Sequence, residues 1–143
     1  MGNGFILPDG VFTVACHPGD LDAPHWEGAR NGELRIQCCR DCGRFQWGPG
    51  YICRHCHSFD LTYETLPGEG RIFSWHRSWH STVPALKEHL PYIVLLVELD
   101  AAPGIRVLGN YAGDQRRGIV IGSPVRAVFE HHSDYSLIQW ADA

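Results

Sequence analysis

The chain has 143 residues, a formal net charge of −4 with histidine neutral, and a single lysine, Lys87, among twelve basic residues. That length holds one domain or two small lobes, and the acidic balance argues against bulk electrostatic binding of nucleic acid, which draws on many Lys and Arg contacts to phosphate. The longest apolar run, Ile93 to Val97, is too short to span a bilayer, and no basic stretch followed by an apolar one opens the chain, so a cytoplasmic protein without membrane contact is expected.

Residues 1–20 are rich in Gly and Pro and read as an extended arm, either disordered or pinned to a partner. The arm carries Cys16 beside His17, read as an inert thiol. Asp22 then caps a short helix with Pro24 in its first turn. Trp26 and Ala29 share one face of it, and Gly32 ends it.

Cys39 and Cys42 form one C-x2-C pair, and Cys53 and Cys56 form a second after ten intervening residues. Each pair places two thiolates on a tight knuckle, and two facing knuckles make a tetrahedral site of four sulfurs, the arrangement of structural zinc. Gly43 follows the first pair where the chain must turn sharply. Two disulfides are the competing reading, disfavoured because so short a ring is strained. Cys38 beside Cys39 offers a second register. Neighbouring residues on an extended segment point to opposite faces, and Cys39 has the knuckle spacing, so Cys39 is chosen. His55 and His57 flank Cys56 and are read as solvent-facing or supporting. A closed four-sulfur site has no open position for water or substrate, which argues for scaffolding. Iron is the chemical alternative, since the same thiolates suit both metals.

Residues 59–66 alternate apolar and polar side chains, as a strand does. Pro67, Gly68 and Gly70 mark a boundary. Strands are then expected over Arg71–His80, Tyr92–Asp100, Ile105–Gly113 with a bulge at Gly109, Ile119–His132 with a break at Gly122–Pro124, and Tyr135–Trp140. One helical turn is expected around Ala85–His89. The fold class is mostly β: arm and short helix (1–33), rubredoxin-like zinc ribbon with four cysteine ligands (34–66), and a five-stranded OB-type barrel (67–143). An open sandwich is the alternative.

Catalytic groups are sparse. Glu98 and Asp100 share one side of a strand and could do acid–base work, but a strand end running into a turn accounts for them. His131 and His132, with Asp134 nearby, read as surface histidines. No nucleophile elbow, phosphate loop or dinucleotide motif appears, so no catalytic residue is assigned. Alternation puts Phe73, Trp75, Arg77 and Trp79 on one face of a strand. Such a stripe suits a protein interface, the core, or stacking on a base such as the adenine of CoA.

The run WEGARNGELRIQCCRDCGRFQWGPGYICRHCHS, with Trp26, Leu34, Gln37, Cys39, Cys42, Gly43, Trp47, Pro49, Cys53 and Cys56, resembles the opening of the acyl-CoA-associated zinc-ribbon/OB-fold family, long catalogued as a domain of unknown function. LPGEGRIFSWHRS, PYIVLLVELDAAPGIRVLGNY and IVIGSPVRAVFE are similar to its later segments. The resemblance covers about residues 21–140. The chain departs from the family at Gly48-Pro49-Gly50, where an Arg usually follows two prolines, and at Cys38, where Arg is common. The resemblance implies a non-catalytic small subunit of a thiolase-fold enzyme that makes or breaks carbon–carbon bonds in acyl-CoA thioesters. It implies a hetero-oligomer with two copies of each chain, a structural zinc, and contact with acyl-CoA. The ending SDYSLIQWAD resembles members linked to steroid side-chain degradation, which points to a retro-aldolase, with a degradative thiolase or acyltransferase complex as alternative. A nucleic-acid-binding ribbon/OB module and a rubredoxin-like electron carrier are the readings from other classes.

Overall fold

The computed structural model describes residues 4–11 and 17–143; Cys16 lies outside them. Helix α1 spans Ala23–Arg30. Asp22 precedes it without capping a backbone N–H; its carboxylate accepts a hydrogen bond from Trp26 Nε1 at 2.9 Å instead. Gly32, at φ +74°, turns the chain out of the helix.

Three antiparallel strands make the ribbon sheet: β1 (Leu34–Cys39) lies between β2 (Phe45–Gln46) and β3 (Leu61–Leu66). A second sheet follows, ordered β6–β5–β4–β7–β8. Its strands are β4 (Glu69–Ser78), β5 (Tyr92–Leu99), β6 (Arg106–Asn110), β7 (Pro124–His131) and β8 (Ser136–Asp142). A 3-10 helix, Pro84–His89, sits between β4 and β5. A parallel bridge between Tyr111 and Trp140 joins the two outer strands, and Ala112 N–H donates to Trp140 O at 2.7 Å. This contact closes the sheet into the expected OB-type barrel.

Two details differ from the alternation read off the sequence. Pairing of β5 with β6 runs through Leu95–Gly109 without a break, so Gly109 is not a bulge. Its role is close approach: a Cβ there would meet Ile138 O and the Trp140 ring at 2.8 Å. The irregularity lies in β4, where Phe73 and Ser74 together oppose one residue of β5 between the pairs Ile72–Val97 and Ser74–Leu96. A bulge of this kind shifts the phase of every later side chain.

The barrel core is built from Ile72, Ile93, Leu95, Val97, Leu99, Val107, Val125, Ile138 and Trp140. Ala29 of α1 and Leu34 and Ile36 of β1 belong to the same cluster, so helix, ribbon and barrel share one interior. Each fully buried aliphatic side chain contributes about 1.5–3 kcal/mol. The ribbon loops bury far less.

We expect Gly109→Ala to destabilise the chain by about 1–3 kcal/mol, the cost of overpacking against a backbone that cannot retreat. Gly118→Ala, where a Cβ meets nothing within 4 Å, should be near neutral. Denaturant midpoints of the two variants provide the comparison, and equal midpoints would contradict the closure argument.

Candidate metal centre and aromatic surface

The two cysteine pairs fold as matched knuckles. Gly43 N–H donates to Cys39 O at 2.8 Å, and His57 N–H donates to Cys53 O at 3.0 Å. Cys39 N–H donates to Arg44 O, and Cys53 N–H to Ser58 O. Both turns need a left-handed residue directly after the second cysteine. Gly43 supplies it at φ +73° without cost, whereas His57 adopts φ +63° with a full side chain.

The knuckles bring the sulfurs of Cys39, Cys42, Cys53 and Cys56 within 4.8 Å of one another. Cys39 and Cys56 are 3.6 Å apart, as are Cys42 and Cys53. A tetrahedron with metal–sulfur bonds of about 2.3 Å sets its sulfurs about 3.8 Å apart. The donor set therefore fits one tetrahedral ion, with all four positions filled by sulfur. Cys38 is buried but outside the cluster, its sulfur against Gly43 O at 3.6 Å. His55 is turned to Arg44 at 3.0 Å. The electrostatics favour a cation. Backbone N–H groups of Cys56 and His55 stabilise the Cys53 thiolate and lower its pKa to about 6. For Cys56 the Ser58 amide acts in the same direction, yet burial and the surrounding sulfurs push the thiol up to about 12. Four thiolates this close need a positive charge among them.

Sequence reasoning missed the glutamine pair beneath the site. Gln37 Oε1 accepts from Gln46 Nε2 at 2.6 Å and from Gly50 N–H at 3.0 Å, and Gln46 Oε1 accepts from Arg54 N–H. Both side chains are buried. They brace the loop between the knuckles, and Arg54 adds bonds to the Trp47 and Gly48 carbonyls. Gln37 stands among the motif residues of the resemblance, whereas nothing in the sequence marked Gln46 as its partner.

The aromatic stripe is divided by the bulge. Trp75 and Arg77 pair with Leu95 and Ile93, which are fully buried, whereas Phe73 stacks under Arg106, 3.6 Å from its guanidinium carbon, beside the Arg106–Glu98 ion pair. The four residues therefore do not share one face. Arg77 is committed internally, donating to the carbonyls of Gln115 at 3.0 Å and Arg117. Trp79 is 64% exposed and lies 5.9 Å from the Arg116 guanidinium. Glu98 pairs with Arg106 and Asp100 with Arg71. His131 bonds Ser136, but the His132 side chain is only 4% exposed, which corrects its assignment to the surface.

Residues 26–62 match the family model described as ChsH2, rubredoxin-like zinc ribbon domain, and residues 63–130 match ChsH2, C-terminal OB-fold domain. A chain of the solved Ltp2-ChsH2(DUF35) aldolase superposes with a TM-score of 0.77 at 30% identity, over 88% of this chain and 98% of that one. This chain belongs to the ChsH2 family.

Two curated relatives are longer. The probable enoyl-CoA hydratase alpha subunit of Thermomonospora curvata is 37% identical over 105 residues, 73% of this chain and 32% of that protein. The 3-oxo-4,17-pregnadiene-20-carboxyl-CoA hydratase alpha subunit of Mycobacterium tuberculosis is 33% identical over 115 residues, 80% of this chain and 35% of that protein. The ChsH2-family chain described here thus spans about a third of the curated relatives it matches. A DUF35 protein of unknown function from Sulfolobus solfataricus, at 14% identity and a TM-score of 0.60 over 87% of each chain, shares the fold. Among the described residues no helix is long and apolar enough to cross a membrane.

We expect His57→Gly to stabilise the ribbon by up to about 1 kcal/mol, the relief of a left-handed side chain less the entropy that glycine brings to the unfolded chain. Cys38→Ser should leave metal content unchanged. Denaturation midpoints and elemental analysis test the two, and loss of metal in the serine variant would reassign the ligand set.

Proposed function

We propose that this chain is a non-catalytic accessory subunit of a thiolase-fold enzyme that cleaves or forms a carbon–carbon bond in an acyl-CoA thioester. The reaction we favour is a retro-aldol cleavage in steroid-type side-chain degradation. The observation that carries this reading is the superposition along 98% of a chain of the Ltp2-ChsH2(DUF35) aldolase. The steroid-CoA name of the M. tuberculosis relative supports the substrate class. The hydratase names belong to proteins about three times the matched length, and that activity is not carried over. A degradative thiolase or acyltransferase complex is the second reading. The nucleic-acid-binding alternative finds no support among these relatives.

On this reading the arm and helix (1–33), ribbon (34–66) and barrel (67–143) make up one adaptor acting in the cytoplasm, two copies with two catalytic subunits. Cys39, Cys42, Cys53 and Cys56 hold one structural zinc. The ion supplies folding free energy and no reaction step, because sulfur fills its whole coordination shell. An apparent binding free energy of about 10–16 kcal/mol for such sites exceeds what the thin ribbon core supplies. Phe73, Trp75 and Trp79 give apolar area to the catalytic subunit. Arg77 holds the loop that carries Arg116, and Arg116 beside Trp79 is the pair we assign to acyl-CoA, a guanidinium for phosphate next to a ring for stacking.

Elemental analysis should find about one equivalent of zinc, the content of a single structural site. Replacing any one of the four cysteines by Ser should remove the metal and unfold the ribbon. Acid should do the same as protons compete for the sulfurs, with metal held on the alkaline side and lost as the pH falls.

Purified alone, the chain should show no turnover of steroid-type acyl-CoA esters, and activity should appear on co-expression with a thiolase-fold subunit. Trp79→Ala should weaken assembly by about 2 kcal/mol, the scale of an interfacial anchor. Arg116→Ala should raise the KM for the CoA ester and leave assembly intact. Turnover by the isolated chain would overturn the accessory role. Failure to assemble with any thiolase-fold subunit would overturn the partner.

A further inference from the structure

The N-terminal segment from Gly4 to Asp9 lies on the barrel and is fastened at both ends. At one end Gly4, at φ +79°, packs so closely on Ala112 that a Cβ would sit 3.0 Å from its carbonyl group. Ala112 is the residue whose N–H completes the barrel closure on Trp140. Between the ends Ile6 is 8% exposed. At the other end Asp9 Oδ1 lies 2.5 Å from His132 Nδ1. The opposite ring nitrogen, Nε2, lies 2.9 Å from Glu130 Oε1. The side chains of His132 and Glu130 are 4% and 3% exposed, whereas that of Asp9 is 83% exposed.

The geometry of this row constrains its protons. An ionised carboxylate oxygen only accepts a hydrogen bond, and a neutral imidazole has one donor and one acceptor. Both contacts are hydrogen bonds to ionised carboxylates only when the ring carries two protons. Glu130 Oε2 is already taken by Gln139 Nε2 at 2.6 Å, and Gln139 Oε1 accepts from Asn110 N–H. Tyr135 stacks on the His132 ring at 4.6 Å with its hydroxyl buried and unpartnered. Burial, and then the negative charges of Glu130 and Asp9, raise the pKa of that hydroxyl, so it stays neutral. His131 is turned to Ser136. Arg30 of α1 reaches only the Asp134 carbonyl of the turn, and the Asp134 carboxylate is on the exposed side. His132 is therefore the one basic side chain set between the two carboxylates among the described residues.

We propose that His132 is a proton-dependent clamp that fastens the N-terminal strap to the barrel, and that loss of one ring proton releases the strap. In that step an N–H bond breaks, the proton passes to solvent, and the electron pair stays on nitrogen. That lone pair then faces a carboxylate oxygen, and attraction becomes repulsion. Release falls on the Asp9 side, because Asp9 can be hydrated while Glu130 keeps Gln139. The clamp holds on the acid side of the ring's titration and opens as the pH rises through it. Opening uncovers the seat of Ile6 and the strand pair that closes the barrel. The chain of hydrogen bonds Asp9–His132–Glu130–Gln139–Asn110 thus couples strap docking to β6.

The test is NMR of the whole metal-loaded chain, labelled with 15N, across roughly pH 5.5 to 9, the range around histidine titration. Two signals are followed: the His132 ring nitrogens, and the heteronuclear NOE of the Gly4, Phe5, Ile6 and Asp9 amides. We expect both ring nitrogens protonated and the strap amides rigid at the acid end, with rigidity falling in step with ring deprotonation. Asp9→Asn, a change at an exposed side chain that leaves the barrel intact, should loosen the strap and abolish the step. His132→Gln should give a loose strap at every pH. A strap that stays rigid after the ring loses its proton overturns the clamp. So does a strap mobile throughout, or an unchanged profile in Asp9→Asn.

Discussion

The approach of β8 to β6 at Gly109 is the contact on which the rest of the molecule depends. Two outer strands meet there without room for a side chain, and Trp140 fills the space behind the meeting point with no exposed surface. Because the interior around Trp140 also takes Ala29, Leu34 and Ile36, closure of the barrel builds the platform for the helix and ribbon. The N-terminal strap and the β6–β7 loop hang from the same corner, through Ala112 and Tyr111. Tyr111 donates from its hydroxyl to Asp142 at 2.9 Å, and its carbonyl accepts from Gln115. A looser seam would therefore loosen elements distant in sequence.

The ribbon was the most legible part of the sequence because its chemistry is local. A C-x2-C pair states its own geometry: two sulfurs, one turn and one left-handed residue. Only the side chain at His57 departs from that rule, and its strain is carried by a knuckle whose hydrogen bonds match those of Gly43. Strand positions were legible for the same reason, since alternation is a property of neighbours. The bulge at Phe73 was not, because register belongs to two strands, and the Phe73 side chain by itself reads as one more alternating residue. His132 was misread for a similar reason. Its burial is produced by Asp9, 123 residues away, and by Glu130 beneath it. Gln46 gave no signal because a short polar strand segment looks like loop until its partner Gln37 is placed opposite.

The bulge also decides what the aromatic residues can do. Had alternation continued, three aromatic side chains would have formed one sticky face around a free arginine. Instead Phe73 covers one side of the sheet under Arg106, while Trp75 and Arg77 turn toward the rim of the barrel. The Arg77 guanidinium then commits Nε and an Nη2 donor to two loop carbonyls. Its charge works through position: it fixes a segment that Gln115 also pins from below by bonds to Ile93 N–H, Tyr111 O and Gly113 O.

That pinned loop explains how a small protein with no helix between β6 and β7 can present a defined cationic surface. Arg117 is drawn in to Asp142 and over Tyr111, which neutralises it locally. Arg116, the adjacent residue, points the other way, toward Trp79. Adjacent arginines thus divide the labour, one locking the loop to β8 and the other offering charge beside an exposed ring. Holding the loop before a ligand arrives lowers the ordering cost of binding. On the proposed reading, such a chain assists catalysis by keeping charge and an exposed aromatic ring where a partner needs them.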